Sequence, residues 1–464
     1  MKKLYFIIFF IPFQMLAQNF DNYTPIDYGN KPPDHFIFNP YEKAKEYAGK
    51  QDILDYESAL SYYYQLFSEK QKLLLQGDVY MNDPLTAYIN QVCQQIFKKN
   101  SEISNQIVIY LTSYPTPNAF SLSDGSVFIN TGLLTLLENE AQLAFIIAHE
   151  VAHIEKNHSL LSIKKMSDIE KTEVNYSNPE ANLFKQLKYS REYENEADAQ
   201  ALRYLMSSDY NADLACKVLL LFNKNLFSDF TEQLDYGKIF KSDSLYIDSN
   251  YLSLKIKKNK KDRFLDNKDY DDLLETHPDL EKRIQALQEI LKFAEYVSNG
   301  KSVWLVKSDY NMIKTQCLFE LVAKMARDMN YGMSLYLCLH LKNSYPSSLY
   351  IKRYIASNLY WLSYYNEIKN LDEVLKINET NESDEFRRFY SLYTNLGLKM
   401  SKQIAYNYIK SEIDNGTHDD DFQYYYALII EKLLGIEAAK FMFDKYLALY
   451  PDGKYALTVK SKLK

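Results

Sequence analysis

The chain opens on a stretch, Leu4 to Ala17, almost without polar side chains, preceded by Lys2 and Lys3. Two lysines, a short apolar run and a small residue at its end predict a secretory signal over 1–18, cleaved after Ala17 or Gln18. The run is too short to span a bilayer comfortably, and Pro12 interrupts it. Residues 19–52 are rich in Asn, Pro, Tyr and Asp and predict an extended arm. From about Ile53 to Phe97 apolar positions recur with a helical period. Gln106 to Leu111 and Ser126 to Asn130 are short apolar runs of the kind that form buried strands. The first leads into a turn over Thr112 to Pro117, and the second is entered through Asp124-Gly125. Thr131 begins a helix, and Asn139 to Glu155 continues as a strongly apolar one. Helical patterning then dominates to about Ala294.

From Val303 onward the pattern is helical and crowded with tyrosine. Tyr345-Pro346 and Tyr450-Pro451 are 105 residues apart, close to three periods of a 34-residue helix-turn-helix repeat. Phe441 to Pro451 resembles the end of a tetratricopeptide repeat (TPR). These patterns divide the chain into a signal over 1–18, an arm over 19–52, a domain over 53–297 and a helical repeat domain over 298–464 with a surface for a partner.

Composition narrows the function classes. Of 464 residues, 47% are hydrophobic and 25% charged, which is globular and excludes a disordered chain. Only 12 Gly and 12 Pro favour helix over sheet. The net charge of −7 argues against a nucleic-acid binder, and loss of Lys2 and Lys3 makes it 52 − 61 = −9. No later segment is apolar for long enough to cross a membrane, so no span is expected in the mature chain. Cys93, Cys216, Cys317 and Cys338 are scattered, with no CxxC pair; they predict small buried residues and no disulfide framework. Six basic residues between Lys255 and Arg263 predict a solvated loop.

The chemistry concentrates at His149-Glu150-Val151-Ala152-His153. Spacing of four puts both imidazoles on one helix face, where both reach one metal ion. Glu150, about 100° round from His149, lies at the edge of that face, placed to take a proton from a water. With seven histidines in the chain, such a triplet arises by chance in fewer than about one chain in a hundred. The surrounding apolar helix makes two histidines and a glutamate costly to bury without a partner. Zinc needs a third protein ligand, and Glu194 and Asp198, four apart on a predicted helix, are the candidates. One can bind the metal while the other orients a ligating imidazole. His158, five residues past His153, would point about 140° away on a continuous helix, which predicts a structural role. His35, His340 and His418 have no ligand spacing.

Together with the ENEAD stretch about forty residues on, HEVAH resembles the zinc metallopeptidase family of the CAAX prenyl protease, HtpX and BepA. Asn118 to Leu134, Thr276-His277-Pro278 and Arg283-Ile284 also resemble that family, and the likeness covers roughly Gly77 to Leu291. Ser123-Asp124-Gly125 stands where the family more often has two consecutive glycines. The resemblance implies an α+β, mostly α, fold: a zincin-type metallopeptidase domain with a small sheet, followed by an α-helical TPR-like solenoid. It implies one zinc ion held by His149, His153 and Glu194, with Glu150 as general base and Asp198 hydrogen-bonded to a ligand histidine, His149. It implies that Asn118 to Asn130, with Ala119, Phe120, Val127, Phe128 and Ile129, forms the edge strand that pairs with an extended substrate. His277 is a fourth ligand and latency plug, a helper at the oxyanion, or a helix-entry residue beside Pro278.

The secreted, repeat-bearing layout is similar to the BepA branch. That likeness implies a periplasmic endopeptidase, peripheral to the outer membrane, which cleaves unfolded or misassembled envelope proteins by metal-activated water attack. Its partners would be polypeptide substrates and, through the C-terminal repeats, the outer-membrane assembly machinery. The competing expectation is a chaperone or scaffold for outer-membrane protein assembly with a latent zinc site.

Overall fold

Three short strands set the frame for the candidate site. β1 (Val108–Thr112), β2 (Ala119–Ser121) and β3 (Ser126–Asn130) form one sheet in the order β1-β3-β2, with β1 parallel and β2 antiparallel to β3. The computed structural model describes residues 19–26, 32–81, 83–172, 179–221, 224, 226–227, 230, 232–240, 280–297, 300–302, 310–375 and 383–464. The expected signal segment, the basic run from Lys255 to Arg263 and His277 lie outside the described residues.

β3 is buried along its whole length, which is why it reads as a continuous apolar run: both of its faces are covered. The β2–β3 turn is Ser123-Asp124-Gly125. Gly125 takes φ +92°, and a Cβ there would stand 2.3 Å from the Gln106 carbonyl oxygen, so glycine is required at this one position. Asp124 supports the turn by accepting from the Ser126 amide at 3.1 Å and pairing with Lys70. A single glycine therefore suffices where the family more often has two.

The helices of six or more described residues are α1 (Pro40–Ala48), α2 (Tyr56–Leu75), α3 (Pro84–Ile96), α4 (Thr131–Leu136), α5 (Glu140–Glu155), α6 (His158–Thr172), α7 (Pro179–Ser207) and α8 (Leu280–Phe293). They continue with α9 (Asn311–Arg327), α10 (Tyr331–Ser344), α11 (Leu349–Glu367), α12 (Asp384–Asn395), α13 (Leu398–Asp414), α14 (Asp420–Leu434), α15 (Ile436–Leu449) and α16 (Ala456–Lys462). The expectation of a mostly helical α+β chain with a small sheet holds. One sheet face, with Ile109, Leu111, Val127 and Ile129, packs on α3, α5 and α7. The other face, with Tyr110 and Phe128, packs under Phe36, Leu74 and Val79.

Three expectations need correction. The first strand runs to Thr112 rather than ending at Leu111, because Thr112 pairs with Asn130 and its hydroxyl donates to Asn130 Oδ1 at 2.7 Å. The arm over 19–52 is not extended throughout. Asn39 caps α1 by accepting from the Tyr41 and Glu42 amides, and Pro40 occupies the first turn, a strong helix start. Ala44 and Ala48 then close against Ala59 and Tyr63 of α2. Further forward, Phe20 and Tyr23 are buried among the C-terminal helices against Phe319 and Tyr350. The third correction concerns the boundary at 297/298: α9 does not belong to one side of it. Ile313 and Cys317 join the core around the sheet, while Leu318 and Phe319 join the C-terminal core.

The C-terminal helices stack as hairpins, including α9–α10, α10–α11 and α14–α15. Tyr345 and Tyr450 end α10 and α15 in the same non-helical conformation, with φ −129° and −133°, as a following proline requires. The four cysteines are free and buried.

Glu320 joins three parts of the chain. It accepts from the Tyr23 hydroxyl, the Ile26 amide at 2.8 Å and the Tyr80 hydroxyl at 3.4 Å. Burial pushes its carboxyl above the ordinary range, and these hydrogen bonds offset that only in part. The folded chain thus holds this proton to higher pH than the unfolded one, so stability falls as pH rises above the usual glutamate value. Relative to Glu320→Gln, the wild type is expected to lose denaturation midpoint between pH 4 and pH 7. An equal gap at both pH values would refute this.

Candidate metal centre

α5 carries the two histidines into the core. Asn139 caps it through the Gln142 amide, and the buried Glu140 at its first turn accepts from Tyr88 at 2.8 Å and Tyr210 at 2.6 Å. The negative charge suits the positive end of the helix dipole. Ala141 to Ala152 is buried without interruption. His149 and His153, one turn apart, present their Nε2 atoms to each other at 3.0 Å.

α7 brings Glu194 to the same point. Its carboxylate oxygens stand 3.5 Å from His149 Nε2 and 3.3 Å from His153 Nε2. The three residues each offer a ligand atom within 4.8 Å of the other two. Among the described residues, this is the cluster of His, Cys, Asp and Glu side chains with the geometry to hold a metal ion.

The outer atoms of the imidazoles are also engaged. One turn beyond Glu194, Asp198 Oδ1 lies 2.9 Å from His149 Nδ1. Behind both carboxylates sits Arg283 of α8, only 2% exposed. Its Nε and one terminal nitrogen donate to Asp198 at 2.6 and 2.7 Å, and its other terminal nitrogen is 3.1 Å from Glu194. Burial opposes a charge on Asp198, but Arg283 and His149 hold its carboxyl below the usual range. Burial likewise disfavours protonation of His149; the Asp198 and Glu194 carboxylates outweigh it and raise the imidazole to about 10. The sequence alone assigns Arg283 no role, because nothing local ties a residue 85 positions away to Asp198.

His158 is not where a continuous helix would put it. α5 ends at Glu155, and Asn157 takes φ +54°, a left-handed conformation that asparagine tolerates. The chain turns back, and His158 Nδ1 comes 2.9 Å from His153 Nδ1. Its ring stacks on Tyr193 at 4.4 Å, and its Nε2 faces Glu196 at 3.3 Å. Burial and the neighbouring His153 hold it down to about 4, hence neutral. With Nε2–H donated to Glu196, its Nδ1 accepts from His153 Nδ1–H, leaving the His153 Nε2 lone pair facing the cluster.

Glu150 is buried and lines a small cleft with His149, Phe145, Ile146, Leu219, Arg283 and Ala119. The cleft therefore connects the carboxylate to β2. Sheet order corrects the expectation that the whole of Asn118 to Asn130 is an edge. Val127, Phe128 and Ile129 belong to the central strand and are fully buried; within this stretch only β2, with Ala119 and Phe120, lies at a border of the sheet. Leu122 donates to Ser126 and Asn130 donates to Asn118 across the β2–β3 ladder. The alternation of an antiparallel pair then turns the Ala119 and Ser121 backbones away from β3.

The profile of peptidase family M48 matches residues 84–291, which contain the cluster, Asp198 and Arg283. Over 76 residues the chain is 36% identical to the mitochondrial metalloendopeptidase OMA1 of Schizosaccharomyces pombe, covering 16% of this chain and 23% of that protein. Over 79 residues it is 32% identical to the beta-barrel assembly-enhancing protease of Escherichia coli, covering 17% of this chain and 16% of that protein. The chain thus spans less than a quarter of these relatives' length. The matched segment, folded around a buried HEVAH helix, is a domain of peptidase family M48.

Proposed function

We propose that this chain is a zinc-dependent endopeptidase of the bacterial envelope, acting on unfolded or misassembled proteins. The observation that carries the reading is the convergence of His149 Nε2, His153 Nε2 and a Glu194 oxygen beside the buried Glu150. Two imidazoles and one carboxylate are a donor set that suits catalytic zinc, and the outward nitrogens of both rings are already held by Asp198 and His158. One ion per chain fits this cluster. Bound there, zinc would polarise the scissile carbonyl and lower the pKa of a nearby water.

The chain's own groups supply the rest. Glu150 takes the proton of the attacking water and returns it to the leaving nitrogen. Asp198 and Arg283 hold His149 and Glu194 in place, and His158 holds the His153 tautomer. The outward backbone of Ala119 and Ser121 receives an extended polypeptide as an added strand. The envelope location and the signal over 1–18 rest on the sequence pattern and on a relative named as a beta-barrel assembly-enhancing protease. His277 remains a proposed fourth ligand that blocks the site; His277→Ala would then raise activity at unchanged zinc content.

Zinc content tests the ligand set. Wild type is expected to hold about one zinc per chain and Glu194→Ala to lose it, while chelation abolishes cleavage of an unfolded substrate by wild type. Zinc retained by Glu194→Ala would remove Glu194 from the set. His158→Ala is expected to weaken zinc binding by about 10–100-fold, read by competition with a chromogenic chelator; an unchanged affinity would show that His153 needs no partner.

A second reading is a TPR-like scaffold for outer-membrane assembly machinery with a latent metal site. It is favoured by a cavity of about 520 Å³ in the C-terminal helices, walled by Tyr331, Tyr350, Trp361 and Tyr425. Partner capture by the full chain, with no chelator-sensitive cleavage under any condition, would select it.

A further inference from the structure

β2 separates two spaces. Ala119 faces the cleft beside His149 and Glu150. Phe120 and Leu122 line a groove of about 600 Å³ bounded by α2 and by Ile163 of α6. Its walls are largely apolar: Leu66, Leu73, Phe120, Leu122 and Ile163, with Tyr62 at one end. None of these residues belongs to the metal cluster. The groove runs along α2 from Tyr62 to Gln76, about 21 Å at 1.5 Å per residue. That length matches about six residues of extended chain.

We propose that this groove is a specificity site for polypeptide, in which apolar side chains at every second position of an extended segment are held. This site rests on the proposed addition of substrate to β2 and follows from strand geometry. Side chains of a strand alternate between the two faces of its sheet. A polypeptide annealed to β2 would continue that alternation, so residues on one face share the side of Ala119 and the metal cluster. Those between them share the side of Phe120 and Leu122 and enter the groove. Its apolar walls reward leucine-like side chains and penalise charged ones, which would lose water without gaining a partner. Of the charged side chains at the groove, Lys70 is already engaged by Asp124 and Ser126 at 2.5 and 2.6 Å, while Lys72 and Glu69 are solvent-exposed and 3.9 Å apart. The site thus favours segments with alternating apolar residues, as strands of an unfolded β-protein have.

The test uses the full chain carrying Glu150→Gln, so that binding is read without cleavage. The probes are fluorescein-labelled ten-residue peptides of strictly alternating Ser-Leu, Ser-Lys or Ser-Glu, followed by anisotropy. Ser-Leu is expected to bind about tenfold or more tighter than the charged peptides. Adding Leu73→Glu should move the preference to Ser-Lys, and adding Leu73→Lys should move it to Ser-Glu. Ile163→Glu, on the opposite wall, should act as Leu73→Glu does. The same ranking in all four proteins would overturn the proposal. Chelator-sensitive cleavage by wild type tests the peptidase reading separately. Failed cleavage with the expected ranking would leave the groove standing alone, and cleavage with an unshifted ranking would remove the groove and keep the peptidase.

Discussion

Glu150→Gln is expected to reduce proteolysis of an unfolded substrate by about 10²–10⁴-fold while zinc content and fold stay unchanged. The amide is nearly the size of the carboxylate, so the buried cleft shared with His149, Ala119 and Arg283 keeps its packing. What disappears is the basic oxygen. The metal would still polarise a carbonyl, but no side chain would take the proton of the attacking water or deliver one to the leaving nitrogen. The contrast with Glu194→Ala is the informative part: one variant loses turnover and keeps the ion, whereas the other loses both. If Glu150→Gln cleaves within about threefold of wild type at equal zinc loading, the base lies elsewhere and general-base catalysis by Glu150 is wrong.

Arg283→Met is expected to cost about 3–5 kcal/mol of stability, measured by urea denaturation of chelated protein. Arg283 is 2% exposed and neutralises two buried carboxylates, Asp198 and Glu194. Methionine fills much of the space and leaves those charges without their main counterion. Zinc should restore part of the loss, because it would neutralise Glu194 and leave only Asp198 exposed to the defect. Arg283→Lys should remain far below wild type, since an ammonium cannot span Asp198 with two parallel donors and reach Glu194 as well. Wild-type stability in Arg283→Met would show that the carboxylates are solvated in ways the packing does not suggest.

These two expectations differ in how far the chain itself announces them. Glu150 is legible from five consecutive letters, because helical pitch converts a spacing of four into adjacency. Arg283 is not, because its partners lie on another helix and no local rule fixes which arginine turns inward. His158 shows the opposite hazard. A continuous helix would point its ring away from His153, but a left-handed Asn157 follows the end of α5 and brings the ring back to His153. The edge strand shows a third case: Val127, Phe128 and Ile129 have every local feature of a strand, yet only the pairing order reveals that β3 is central.

Local periodicity and spacing were enough to declare a mostly helical protein with a small sheet, two histidines one turn apart, and a carboxylate beside them. Short-range geometry is encoded directly in the backbone repeat, so it needs no knowledge of the remainder. The meeting of α5, α7 and α8, the split membership of α9 and the place of β2 at a border of the sheet came only with folding. Each depends on which distant apolar surfaces bury one another, and many helix pairings satisfy the same hydrophobic pattern until the whole core is packed at once.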